Sequence, residues 1–110
     1  MLEAIDRIEE YEISDREILE REQLIQVWVL YHLQIIGEAV NALAPEFRHS
    51  FPDVPWSEII GMRNILVHHY FGIDLDLVWG MVKRDLPLLR EQVRGILDHL
   101  EGEADLLPPV

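Results

Sequence analysis

Residues 63 to 70 read Arg63, Asn64, Ile65, Leu66, Val67, His68, His69, Tyr70, and they place a guanidinium, a carboxamide, an imidazole and a phenol inside an otherwise apolar helical run. A guanidinium presents a planar fork of donors that matches a phosphate or another oxyanion. An imidazole titrates near neutrality, so it can take or give a proton under working conditions. Together, Arg63 and His68 suit proton transfer at a reacting oxyanion whose developing charge is held by the arginine. Asn64 is placed to orient His68 or the bound anion. On a helix, Asn64 and His68 stack at about 40° to one another, whereas Arg63 and His68 stand about 140° apart. Helix geometry alone therefore does not make the two converge. The arginine can reach over, the helix can tighten near Gly72, or a second copy of the chain can bring its own motif across a shared groove. Tyr70 falls about 20° off the face of Arg63 if the helix continues that far, at the edge of the same cleft.

Other candidates carry less chemistry. His69 beside His68 invites a metal reading, but neighbouring helical residues diverge by about 100° and no acidic or histidine partner follows one turn on, so no metal site is expected. The absence of cysteine removes thiolate metal sites, disulfides and cysteine nucleophiles together. No cofactor is expected. His32, His49 and His99 are scattered and read as surface or interface residues. Glu38 sits in an apolar helix, where a carboxylate must find a partner across the core or toward the cleft. Gly37 and Gly61 lie inside helices at a cost near 1 kcal/mol each relative to alanine, which signals close helix approach. Trp28, Trp56 and Trp79 read as core or interface anchors.

The elements that must position these groups are helical throughout. Leu2, Ile5 and Ile8 recur at helical spacing, and Ser14 with Glu17 has the form of a capping box, so a first helix should stop near Glu12. An acidic lead-in from Asp15 opens a long helix reaching Leu43, with Leu24, Val27, Trp28, Leu30, Tyr31, Leu33, Ile36 and Val40 apolar on more than one face, as in a helix buried by several neighbours. Pro45 ends it, and residues 45 to 55, with three prolines, read as a loop. Pro55 suits the first turn of the next helix, which carries the motif and ends at Gly72. Asp74 can cap another helix, which Pro87 should break or kink, and a last helix carries Leu88, Leu89, Val93, Ile96, Leu97 and Leu100. The expectation is all-α: one compact, mostly antiparallel bundle of four to five helices over residues 1–101, with 102–110 a flexible tail.

Composition bounds the partners. A chain of 110 residues, 49% apolar, can close one core. The start is acidic, and the longest apolar stretch, Val27 to Ile36, falls well short of the roughly 20 residues that span a bilayer, so a soluble protein is expected, with no membrane partner. Lack of cysteine suits a reducing cytoplasm. Twenty-one acids against nine bases give a net charge of −12, which repels polyanions at long range. Nine of those acids fall within the first 22 residues. Lys83, Arg90 and Arg94 are spaced to form one helical stripe, read as a solvated face, with a phosphate rail beside Arg63 as the functional alternative.

The spacing of Arg63, His68 and Tyr70, an arginine, four residues, a histidine, one residue and a tyrosine, resembles the signature of HepT-like toxins, small helical HEPN proteins. The likeness extends over about residues 2 to 101 through Ile35-Ile36-Gly37-Glu38-Ala39, Val54-Pro55-Trp56, Ile59-Ile60-Gly61-Met62, Tyr70-Phe71-Gly72-Ile73-Asp74 and Val78-Trp79, all in the same order. Tyr31-His32 departs from it, standing where many relatives carry Arg-Asn. The resemblance implies a metal-independent endoribonuclease that cuts RNA in the cleft of a homodimer, with Arg63 and His68 catalytic and Asn64 supporting. It also implies a toxin–antitoxin pairing, in which a minimal nucleotidyltransferase antitoxin transfers AMP onto Tyr70. Such a modification would add bulky negative charge at the lip of the cleft and compete with RNA for Arg63. A different class of function also fits: a non-catalytic helical module that docks the nucleotidyltransferase and is modified by it.

Overall fold

A computed structural model describes residues 1–10, 16–68 and 72–106, the side chains as far as Glu103. In chain order it forms α1 (Leu2–Glu9), α2 (Arg16–Arg21), α3 (Gln23–Asn41), α4 (Pro45–Ser50), α5 (Trp56–His68), α6 (Leu75–Gly80), a π-helical turn (Met81–Asp85) and α7 (Leu86–Leu106). The described residues contain no strand, and the all-α expectation holds. The capping box of Ser14 and the end of the first helix beyond Glu10 fall outside the described residues.

The long helix α3 is the spine. It packs against α1, α2 and α5, and buries Val29, Leu30, Leu33, Ile36 and Val40 among them. Ile5 and Ile8 from α1, Leu19 from α2, Leu66 from α5, Val78 from α6 and Leu86, Leu89 and Ile96 from α7 complete one continuous core. Not all of α3 is covered. Leu24, Val27 and Tyr31, counted in the sequence among its buried side, are 86%, 45% and 60% exposed. These three fall one to two turns apart, on a flank that no described helix reaches.

Polar ties fix the elements at their ends. The Trp28 indole donates to the Arg7 carbonyl at 2.7 Å, pinning α3 to the end of α1. The Trp56 indole donates to the carbonyls of Phe51 at 2.9 Å and Arg48 at 3.0 Å, and this closes the turn that leads into α5. Asp74 caps α6 as expected, its Oδ1 accepting from the Asp76 amide at 2.9 Å.

Three expectations change. The stretch from Pro45 to Pro55 is not all loop: Pro45 begins α4, as a proline in the first turn of a helix can, since its missing donor has no partner there. Pro87 does not break the chain's last helix. The turn before it widens into a π-helical turn, where the Leu86 amide bonds back to the Met81 carbonyl, and α6, the turn and α7 run on as one rod. That widening also dissolves the predicted basic stripe. An extra residue in the turn rotates the helix beyond it: Lys83, inside the turn, lies over the Trp79 ring one turn back at 5.0 Å, while Arg90, beyond it, faces α1. There Arg90 pairs with Asp6 and with Glu9 at 2.7 Å and is only 23% exposed, committed to holding α1 on α7 and not to a phosphate rail.

Candidate functional site

Arg63 sits at a close contact between α3 and α5. A Cβ placed on Gly37 would lie 2.3 Å from Arg63 Cβ, 2.7 Å from its Cγ and 3.4 Å from its Cα. The bare glycine therefore lets the arginine stem press against the backbone of α3, which is the close approach that a glycine inside a helix signals. At Gly61 the same signal meets a different setting. A Cβ added there would find nothing within 4 Å, and the residue faces open space.

From its seat against Gly37 the Arg63 guanidinium emerges half-buried. Its Nη1 donates to Asn64 Oδ1 at 3.1 Å, and its Nη2 lies 3.9 Å from Glu38 Oε1, with Arg63 29% and Glu38 49% exposed. Glu38 is in turn held by Gln34 Nε2, one helical turn earlier, at 3.2 Å. Arg63 Nε is buried, with no hydrogen-bond partner among the described residues. The carboxylate that the sequence left in search of a partner thus finds its neighbour at the surface and not across the core.

His68 lies elsewhere. It is exposed at the last position of α5, at the edge of an open groove of about 1000 Å³ between α5 and the rod, walled by Ile36, Met62, Leu66, Leu77 and Leu89. Among the described residues no hydrogen bond or ion pair joins His68 to Arg63. The two occupy different sides of α5, as the helical period requires. Asn64 meets Arg63 directly and makes no hydrogen bond to His68. Tyr70 and His69 lie outside the described residues.

Two features are not visible from the sequence alone. His32, expected at the surface or an interface, is 7% exposed; its Nδ1 lies 2.8 Å from the Trp28 carbonyl, and its ring packs on Trp28 and Tyr31 at 4.4 and 5.1 Å between centroids. A carbonyl one turn back satisfies the ring, so burial costs it little. The second is the link from Gln34 through Glu38 to Arg63 and Asn64. Its trace in the sequence is a polar residue four positions before a glutamate that sits next to a helical glycine.

With this geometry in view, the comparison with known proteins is specific. The sequence profile of the family described as "Ribonuclease HepT-like" matches residues 1–96. The chain belongs to the HepT-like ribonuclease family. The match spans α1 through about the first half of α7, including Gly37, Glu38, Arg63, Asn64 and His68. A HepT-like relative in Thermococcus cleftensis, described as "Probable ribonuclease HepT", is 40% identical over 90 residues, covering 80% of this chain and 81% of that one. A "Putative RNase" of Methanocaldococcus jannaschii is 48% identical over 71 residues, 64% of this chain and 65% of its own. A longer protein of the same organism, described as "Gamma-glutamylcyclotransferase and putative RNase", is 40% identical over 102 residues; the match covers 92% of this HepT-like chain but 46% of the relative. The chain thus spans about half to two thirds of the length of several relatives. No solved structure matches it.

Proposed function

We propose that this HepT-like chain is the toxin of a toxin–antitoxin module and a metal-independent endoribonuclease of HEPN type. Two copies form the cleft, Arg63 and His68 carry the catalysis, and Asn64 supports them. The observation that carries the reading is the family match over residues 1–96, with Arg63, Asn64 and His68 set on one helix inside it. The reaction needs no group beyond these. His68 takes the proton of a ribose 2′-hydroxyl and the 2′-oxygen attacks the adjacent phosphorus; the protonated imidazole then gives that proton to the 5′-oxygen as its bond to phosphorus breaks, leaving a 2′,3′-cyclic phosphate, a 5′-hydroxyl and neutral His68. Arg63 offers its outer nitrogens to the phosphorane-like transition state.

A homodimer supports this division of labour. Within one chain Arg63 and His68 occupy different sides of α5, about 140° apart, so a second copy is the simplest means of bringing an imidazole and a guanidinium to one phosphate. It also gathers two Arg63 side chains in one cleft, a local positive patch on a chain of net charge −12. In the cytoplasm, a minimal nucleotidyltransferase antitoxin transfers AMP to Tyr70, two residues beyond His68, and the added phosphate and nucleoside exclude RNA by charge and bulk.

The charge also favours a second reading, a non-catalytic module that docks the nucleotidyltransferase. Cleavage of single-stranded RNA by the purified, unmodified protein in EDTA separates the two. The nuclease reading expects cleavage, and expects His68→Ala to slow it by about 10²–10⁴-fold. No cleavage by the parent, or equal cleavage by His68→Ala, sinks it, while a complex with the nucleotidyltransferase that survives His68→Ala supports docking. An added AMP mass on Tyr70 only when the partner is co-expressed tests the modification.

A further inference from the structure

We propose that the Gly37–Glu38 step of α3 positions Arg63: the glycine sets how deeply the arginine stem lies against α3, and the Glu38 carboxylate sets where its guanidinium points. The inference rests on the assignment of Arg63 to the phosphate made above. Both residues act through Arg63 and neither touches substrate, so they are positioning residues.

The contacts assign separate tasks. With Arg63 Cβ and Cγ at 2.3 and 2.7 Å from a hypothetical Gly37 Cβ, no side chain fits between the stem and α3, and the first two carbons of the arginine are fixed in place by backbone. Its Nε is buried, with no partner among the described residues, so the outer nitrogens are the ones that can meet a ligand. Of these, Nη1 is bound to Asn64 and Nη2 points along Glu38 at 3.9 Å. That distance is too long for a direct hydrogen bond, so the carboxylate orients the cation by charge without occupying its donor. A phosphate can then take Nη2 with no short ion pair to break. Gln34, donating to the same Glu38 oxygen at 3.2 Å, keeps the carboxylate itself from swinging away.

The test uses Glu38→Ala, Glu38→Gln and Gly37→Ala in the full chain, with steady-state cleavage, melting temperature and the Nε–Hε NMR signal of Arg63. Glu38→Ala should lower kcat about fivefold, the scale of a partly exposed charge contact, without raising KM, and should move or broaden the Arg63 signal at unchanged melting temperature. Glu38→Gln, which keeps an acceptor in place, should fall between Ala and the parent in both readouts. A folded Gly37→Ala displaces the stem by around an ångström and should cost about 100-fold in kcat. If the parent cleaves in a His68-dependent manner while Glu38→Ala and a folded Gly37→Ala match it, the positioning role is wrong and the nuclease reading stands. If the parent cleaves nothing, the nuclease reading is wrong and the NMR signal decides: unchanged in Glu38→Ala, it overturns the positioning role, and shifted, it upholds Glu38 as the group that orients Arg63. A melting temperature lowered equally by Glu38→Ala and Glu38→Gln, with no change in the Arg63 signal, overturns it as well.

Discussion

Replacing a helical glycine by alanine ordinarily stabilises a protein, and this chain offers the same substitution in two helices with opposite expected signs. At Gly61, in the interior of α5, no atom lies within 4 Å of the added methyl. There the gain is the helix propensity difference, about 1 kcal/mol. At Gly37 the same gain applies, but the methyl would stand 2.3 Å from Arg63 Cβ, more than an ångström inside the ordinary contact range of 3.4–4 Å. The stem it meets is the root of a side chain next to backbone, not a free end, so α3 and α5 must separate. Forcing a methyl into a packed site costs about 1–3 kcal/mol, and here, where the collision is with a side-chain root and the loosened crossing also exposes part of the core around Ile36 and Leu66, the cost falls in the upper part of that range, about 2–3 kcal/mol. The net expectation is a loss of about 1–2 kcal/mol for Gly37→Ala against a gain of about 1 kcal/mol for Gly61→Ala. With a urea dependence near 2 kcal/mol/M, the two unfolding midpoints should differ by about 1–1.5 M, in equilibrium denaturation followed by far-UV circular dichroism with unchanged slopes. If Gly37→Ala proves as stable as Gly61→Ala, the close crossing at Arg63 is wrong, and the positioning role built on it loses its footing. Arg63→Gly in the Gly37→Ala background removes the clashing stem and should recover part of the loss, which distinguishes a specific collision from general intolerance.

Two further substitutions probe the elements that frame the site. Asp74→Ala removes the side-chain acceptor at the start of α6 and should cost about 1 kcal/mol in urea denaturation, most of it recovered by Asp74→Ser. Arg90→Met keeps the aliphatic stem but frees the carboxylates of Asp6 and Glu9; because both are substantially exposed, the loss should be no more than about 1 kcal/mol at low ionic strength, and it should shrink as salt is added.

The features legible in the sequence are those that depend on local period and local chemistry. The all-helical order, the Asp74 cap and the angular separation of Arg63 from His68 each come from a few consecutive residues. The features hidden from it depend on which surface a neighbour covers. Gly37 and Gly61 give the same signal in the chain, yet only one lies at a helix crossing. His32 looks like a surface histidine until the Trp28 carbonyl and ring are placed one turn behind it. Leu24, Val27 and Tyr31 are as apolar as the rest of α3, but no described helix reaches their flank. Arg90 belonged to a predicted stripe that assumed an unbroken period, and it lies instead on the acidic face of α1, a long-range contact that no window along the sequence contains.

The π-helical turn at Met81–Asp85 has a mechanical consequence. From Leu75 to Leu106 the backbone is helical without a break, a contour of about 48 Å at about 1.5 Å per residue. The residue added in the turn works like a slipped gear tooth, changing the angular phase of α7 relative to α6. The first portion meshes with α2, where Asp76 pairs with Arg16, and the second with α1, where Arg90 pairs with Asp6. Deleting one residue from the turn would bring the two portions back toward a common phase, turning Arg90 away from the direction in which it now meets Asp6.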